Sequence, residues 1–112
     1  MLTDGEVPVA DLNLELARAI RETAPWGQGF PEPVFDGVFS VVGERLVGGR
    51  HTKLRLRPRG ADRALDAIAF NREPPVTANS RREVQMAYRF VVNVFRGEER
   101  PEIVVEEIAA GP

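Results

Sequence analysis

The stretch from Arg45 to Arg57 constrains this chain more than any other. Leu54 and Leu56 fall on one side of an extended segment and Lys53, Arg55 and Arg57 on the other, because side chains in a strand repeat every two residues. This predicts a half-buried strand with a basic outer face. Gly48 and Gly49 stand just before it, and a glycine pair between apolar runs marks a turn, since glycine takes positive φ without steric cost. A long strand from Val34 to Val47 therefore folds back into a second from Thr52 to Arg57. Such a hairpin needs further strands to pair its edges and cover its apolar face.

The rest of the chain supplies them. Leu65 to Phe70 reads as a third strand, Val84 to Phe95 as a fourth and Glu102 to Ile108 as a fifth. The last two are joined through Arg96-Gly97-Glu98-Glu99, a short hairpin with glycine in the turn. Irregular alternation in the first strand predicts a bulge or bend near Gly37 or Gly43. Residues 71–83, with Pro74-Pro75 and Asn79-Ser80-Arg81-Arg82, read as a polar loop with room for a turn of helix.

Ahead of the strands, Leu12, Leu16 and Ile20 recur every four residues, which predicts an amphipathic helix capped by Asp11 or Asn13 and stopped before Pro25. One helix of about three turns cannot bury its own stripe, so it packs on the sheet or on something outside the chain. Between helix and first strand, Trp26, Phe30 and Phe35 interleave with Pro25, Pro31 and Pro33. This is an ordered loop whose aromatics plug the end of a core more readily than they stack on a base.

The fold class is thus mainly β: a five-stranded OB-fold-like barrel preceded by one N-terminal α-helix. Residues 1–24 are expected to form the opening segment and connecting helix, and 25–112 the OB-fold-like barrel. The oligonucleotide-binding fold is a Greek-key barrel of five strands. An SH3-like barrel or an open α+β sheet gives a similar strand count, and periodicity does not separate them. A chain of 112 residues is one domain.

Charge is unevenly spread. Residues 1–44 and 98–112 are acidic, with net charges of −6 and −4, while residues 45–97 carry +8. Clustered Lys and Arg are the footprint of a polyanion partner, because phosphate binding releases counterions. The other reading is that the acidic ends fold back on the basic middle, and charge alone leaves both open. The absence of cysteine excludes disulfides and thiolate metal sites and suits a reducing, cytoplasmic setting. No apolar run approaches the roughly 18 residues of a membrane span, and no signal peptide opens the chain, so no membrane partner is expected.

Catalytic residues are not expected. His51 is the sole histidine and lies in a turn beside Arg50, where it suits a loop or phosphate contact better than general base work. Asp62, Asp66 and Glu73 lack the spacing that gathers metal ligands on a helix. There is no phosphate-cradling glycine loop and no activated nucleophile. Binding chemistry is better represented: Arg45, Arg50, His51, Lys53, Arg55 and Arg57 cluster on one hairpin, and Tyr88, Arg89 and Arg96 belong to the fourth strand and its turn. A cationic groove beside exposed aromatics, Tyr88 or Phe95, is how single-stranded nucleic acid is held. The plain alternative is a solubilising charged surface.

These residues also resemble a known family. The segment Pro25-Trp26-Gly27-Gln28-Gly29-Phe30-Pro31-Glu32-Pro33-Val34-Phe35-Asp36-Gly37 is similar to a signature of the RecJ single-strand-specific 5′→3′ DNA exonucleases. Further matching pieces follow in order: Arg45-Leu46-Val47-Gly48 with His51-Thr52-Lys53-Leu54, then Leu65 to Asn71, Ala87-Tyr88-Arg89, and Asn93 to Gly97. The resemblance spans about residues 10–108. It implies the oligonucleotide-binding domain that follows the catalytic domains of such a nuclease, with single-stranded DNA and those domains as partners and a single-strand-binding protein as a further one. It implies a role in DNA repair and recombination. The DHH motif of the nuclease core has no counterpart, so no cofactor belongs to this chain, and Mg or Mn belongs to the parent's core. Phe30 and Val94 depart from the family's usual Asn and acidic residue.

Overall fold

The computed structural model describes residues 3–23, 32–76 and 83–109. A 3-10 turn at Val9–Asp11 leads into helix α1, Leu14–Glu22, and five strands follow: β1 Phe35–Val47, β2 His51–Pro58, β3 Leu65–Ala69, β4 Glu83–Phe95 and β5 Glu98–Ile108. Trp26 and Phe30 lie outside the described residues, as does the part of the expected polar loop at 77–82.

Most strand limits fall where alternation puts them, but β5 begins earlier than expected. The connection from β4 is a two-residue turn, Arg96-Gly97, and not the four residues Arg96–Glu99. Arg96 and Gly97 have φ of 52° and 79° and Phe95 pairs directly with Glu98. Two left-handed residues in succession match the twist of the strands they join.

The strands close into a barrel in the order β1-β2-β3-β5-β4. This rules out the open sheet and is the Greek-key order of an oligonucleotide-binding fold. β1 serves both sides: Phe35–Ser40 pairs with β4, and Phe39–Val47 with β2. A register shift between Val41 and Gly43 gives the bend that lets one strand do this. All pairings are antiparallel except β3 with β5, which meet through Ala67 opposite Ile103 and Ile68 opposite Val104.

The core is built from the inward residues of every strand, with Phe39, Leu56, Met86, Tyr88, Phe90 and Ile103 among its largest. Each such side chain contributes about 1.5–3 kcal/mol by leaving water. Phe39 and Tyr88 meet edge to face at 5.3 Å and 84°. α1 packs on β4 and β5, with Ala17 fully buried and Leu16 and Ile20 against the same core. Its cap is Asn13, whose side chain accepts the Leu16 N–H at 2.9 Å. Helix and barrel therefore share one core, and residues 3–6 lie along the start of β1, where Asp4 N–H donates to the Val34 carbonyl at 2.7 Å. Buried Thr52 is satisfied by donating to the Arg72 carbonyl at 2.6 Å, and Glu44 accepts the Val76 N–H at 2.8 Å, which seats the loop after β3.

Candidate nucleic-acid interface

Leu54 and Leu56 face the core, so period two turns Lys53, Arg55 and Arg57 outward. The ladders then fix their neighbours. Arg45 stands opposite Lys53 and Lys53 opposite Ile68; Gly43 stands opposite Arg55 and Arg55 opposite Asp66. With adjacent strands about 4.8 Å apart, Arg45, Lys53 and Arg55 surround the gap left by Gly43. A Cβ added at Gly43 would meet nothing within 4 Å, and a depression of about 310 Å³ opens there.

The cations are not equally available. Lys53 bonds Glu102 on β5, a carboxylate only 7% exposed, and Arg55 Nη1 donates to Asp66 Oδ1 at 2.6 Å. Arg89 lies farther round the barrel, opposite Val104, and is held by Glu106 and by Glu32, the latter at 2.9 Å. Burial disfavours the Arg89 charge, yet hydrogen bonds to Glu106 and Glu32 outweigh it and keep its pKa above the ordinary value. The acidic ends thus do fold back onto part of the basic middle. Arg45, Arg50 and Arg57 carry no side-chain hydrogen bond or ion pair among the described residues.

Tyr88 is a correction. The sequence reading puts it at the surface beside a groove, but it is 1% exposed, packed against Phe35 and Phe39. Val84, Met86, Tyr88 and Phe90 alternate inward along β4, and that period outranks the polar tip of the ring. Burial first, then the charges of Asp36 and Glu6, pushes its hydroxyl pKa well up. Of the two expected aromatics it is Phe95 that is exposed, at 58%, with the Arg96 guanidinium 5.1 Å from its ring centre.

At the other end of the β2–β3 face, His51 and Phe70 form a pair that alternation within β3 foretells: Ala67 and Ala69 point in, so Ile68 and Phe70 point out. Among the described residues no group of three or more His, Cys, Asp or Glu gathers as metal ligands.

The RecJ OB domain family matches residues 3–107. The chain belongs to the RecJ OB domain family. The single-stranded-DNA-specific exonuclease RecJ of Escherichia coli K12 is 42% identical over 109 residues, which are 96% of this chain and 19% of that protein. The protein of the same name from Dickeya dadantii is 44% identical over 107 residues, with 95% and 19% covered. The chain therefore spans about a fifth of these relatives. Two crystal structures of RecJ from Thermus thermophilus, in complex with Mn2+ and Mg2+, superpose on all of this chain and on 16% and 17% of theirs, with TM-scores of 0.72 and 0.71 at 22% identity. The RecJ OB domain fold is thus shared, and Arg45 and Arg57 stand on its outer β1–β2 face with Arg50 in the turn between those strands.

Proposed function

We propose that this RecJ OB domain binds single-stranded DNA across the outer face of β1, β2 and β3 and positions the strand for the exonuclease core of a parent protein. The observation that carries this is the trio Arg45, Arg50 and Arg57, unpaired among the described residues, with Arg45 at the rim of the open Gly43 depression. Phosphates are their natural ligands, and such contacts are sequence-tolerant and salt-sensitive. His51 at the start of β2 and Arg96 in the β4–β5 turn are further contacts in this reading. Lys53 and Arg55 join only where phosphate displaces their carboxylates, and Arg89 braces β4 against β5.

The parent then acts as a metal-dependent 5′→3′ exonuclease in DNA repair and recombination. Its Mg or Mn sits in the catalytic domains, and this chain alone cleaves nothing. A second reading has the domain bracing that core or docking a single-strand-binding protein. The commitment of Lys53, Arg55 and Arg89 to carboxylates favours it.

Fluorescence anisotropy of a labelled single-stranded oligonucleotide, beside a duplex of equal length, tests the choice. The strand-binding reading expects preference for the single strand and a log–log salt slope of about −0.7 per phosphate contacted. Replacing Arg45, Arg50 and Arg57 with Ala should flatten that slope by about 2. Absence of binding at low salt gives the bracing reading.

A further inference from the structure

The strand-binding reading leaves unassigned the aromatic ring that closes one end of the β2–β3 face. Phe70 follows the last residue of β3 and is 49% exposed, although Ala67 and Ala69 just before it are fully buried. A single exposed ring is ordinary on a protein surface and assigns nothing by itself. The ring is also held in position. His51 lies edge to face with it at 5.3 Å and 78°. The His51 ring is in turn fixed, because its Nδ1 accepts the Asn71 N–H at 2.9 Å, and Asn71 takes φ of 58° in the turn that leaves β3. The neutral imidazole therefore carries its proton on Nε2, away from that bond. Gly48 of the β1–β2 turn lies close beneath, its notional Cβ 3.7 Å from His51 Cδ2.

We infer that Phe70 is a stacking platform for one unpaired base, with His51 as the residue that holds its ring in place. Three observations converge on this chemistry. The ring is half exposed, its orientation is set by a hydrogen-bonded neighbour, and the next outward row along the two strands is Lys53 and Ile68, about 7 Å away. A strand whose phosphates run past Arg45 and Arg50 at the β1–β2 tip can turn a base onto Phe70 without leaving the face. An aromatic platform beside a cationic track is what a single strand requires, since every base has a π-face.

The inference rests on the strand-binding reading, and the test separates the two. The wild-type domain and Phe70→Ala are titrated with an oligonucleotide and with the same oligonucleotide carrying abasic sites. The wild type should prefer the intact strand by about 5- to 150-fold. Phe70→Ala should bind the intact strand more weakly by a similar factor, lose its preference over the abasic strand, and keep the salt slope of the wild type. Phe70→Trp should retain the preference, and His51→Ala should lose part of it. Equal discrimination by Phe70→Ala and the wild type overturns the platform and leaves the phosphate track standing. Failure of the wild type to bind either strand at low salt overturns the track, and the platform with it. Circular dichroism of each variant confirms that the barrel is intact.

Discussion

Arg55 and Asp66 face each other across the β2–β3 ladder, with Nη1 and Oδ1 2.6 Å apart, so an exposed cation of the basic strand carries its own counterion. A phosphate arriving at Arg55 must compete with a carboxylate already in place, and it must approach the negative charge of Asp66 as well.

Asp66→Asn should therefore tighten binding of single-stranded DNA. An exposed ion pair is worth about 0.2–1 kcal/mol, which sets the gain at about 5-fold or less, together with a salt slope steeper by up to about 0.7. Anisotropy titrations over a range of salt read both. Unchanged or weaker binding would mean that Asp66 chiefly positions Arg55.

Two glycines of β1 should respond unequally to the same change. A Cβ at Gly37 would lie 3.2 Å from Phe39 Cε2 and 3.3 Å from its Cζ, against a ring that is buried and has no room to retreat. Gly37→Ala should cost about 1–3 kcal/mol by overpacking. At Gly43 the added methyl meets nothing within 4 Å, so Gly43→Ala should leave stability within about 1 kcal/mol of the wild type. Urea denaturation of the pair decides it.

Acid should loosen the helix before it melts the barrel. Hydrogen bonds from Arg21 and then Arg18 hold the Glu99 carboxyl below the usual carboxylate range. A depressed folded pKa contributes stability above the unfolded value, and that stability is lost as pH falls through the lowered one. Glu99→Gln should remove this acid-sensitive part, seen as a smaller drop in stability from neutral pH to about pH 3.

Alkali acts through Tyr88. Burial, reinforced by Asp36 and Glu6, raises its pKa, so the neutral ring stabilises the fold below the ordinary tyrosine value of about 10 and that contribution disappears as pH rises. Its hydroxyl has no hydrogen-bond partner among the described residues. Tyr88→Phe should be close to neutral at pH 7 and should flatten the loss of stability above about pH 10. Thermal melts across that range are the check.

Much of this barrel is legible in the chain itself. Leu54 and Leu56 set the face of β2, Gly48-Gly49 sets the turn, and the four-residue spacing of Leu12, Leu16 and Ile20 sets the helix, because each signal is local and periodic. The end of the last hairpin is harder to read. Glu98 and Glu99 resemble loop residues, yet Glu99 is polar because it clamps Arg18 and Arg21 from a strand. The state of the basic face is hidden for a similar reason. The carboxylate that takes Lys53 is 49 positions away and reaches it only once β3 and β5 are side by side, so charge clustering shows where the cations lie but not which are spoken for. Tyr88 is readable from the alternation of Val84, Met86 and Phe90, and only its polar tip argues for the surface.

The short parallel junction of β3 with β5 bears on how this barrel breathes. It rests on Ala67 with Ile103 and Ile68 with Val104, whereas β4 and β5 are zipped from Met86 to Phe95. Local opening starts where the ladder is shortest, so amide hydrogens there should exchange sooner than those along the long hairpin. Lys53 reaches from β2 over β3 to Glu102 on β5 and straps that junction shut. A phosphate that draws Lys53 away unfastens the strap, which ties the opening of the barrel wall to the occupancy of its outer surface.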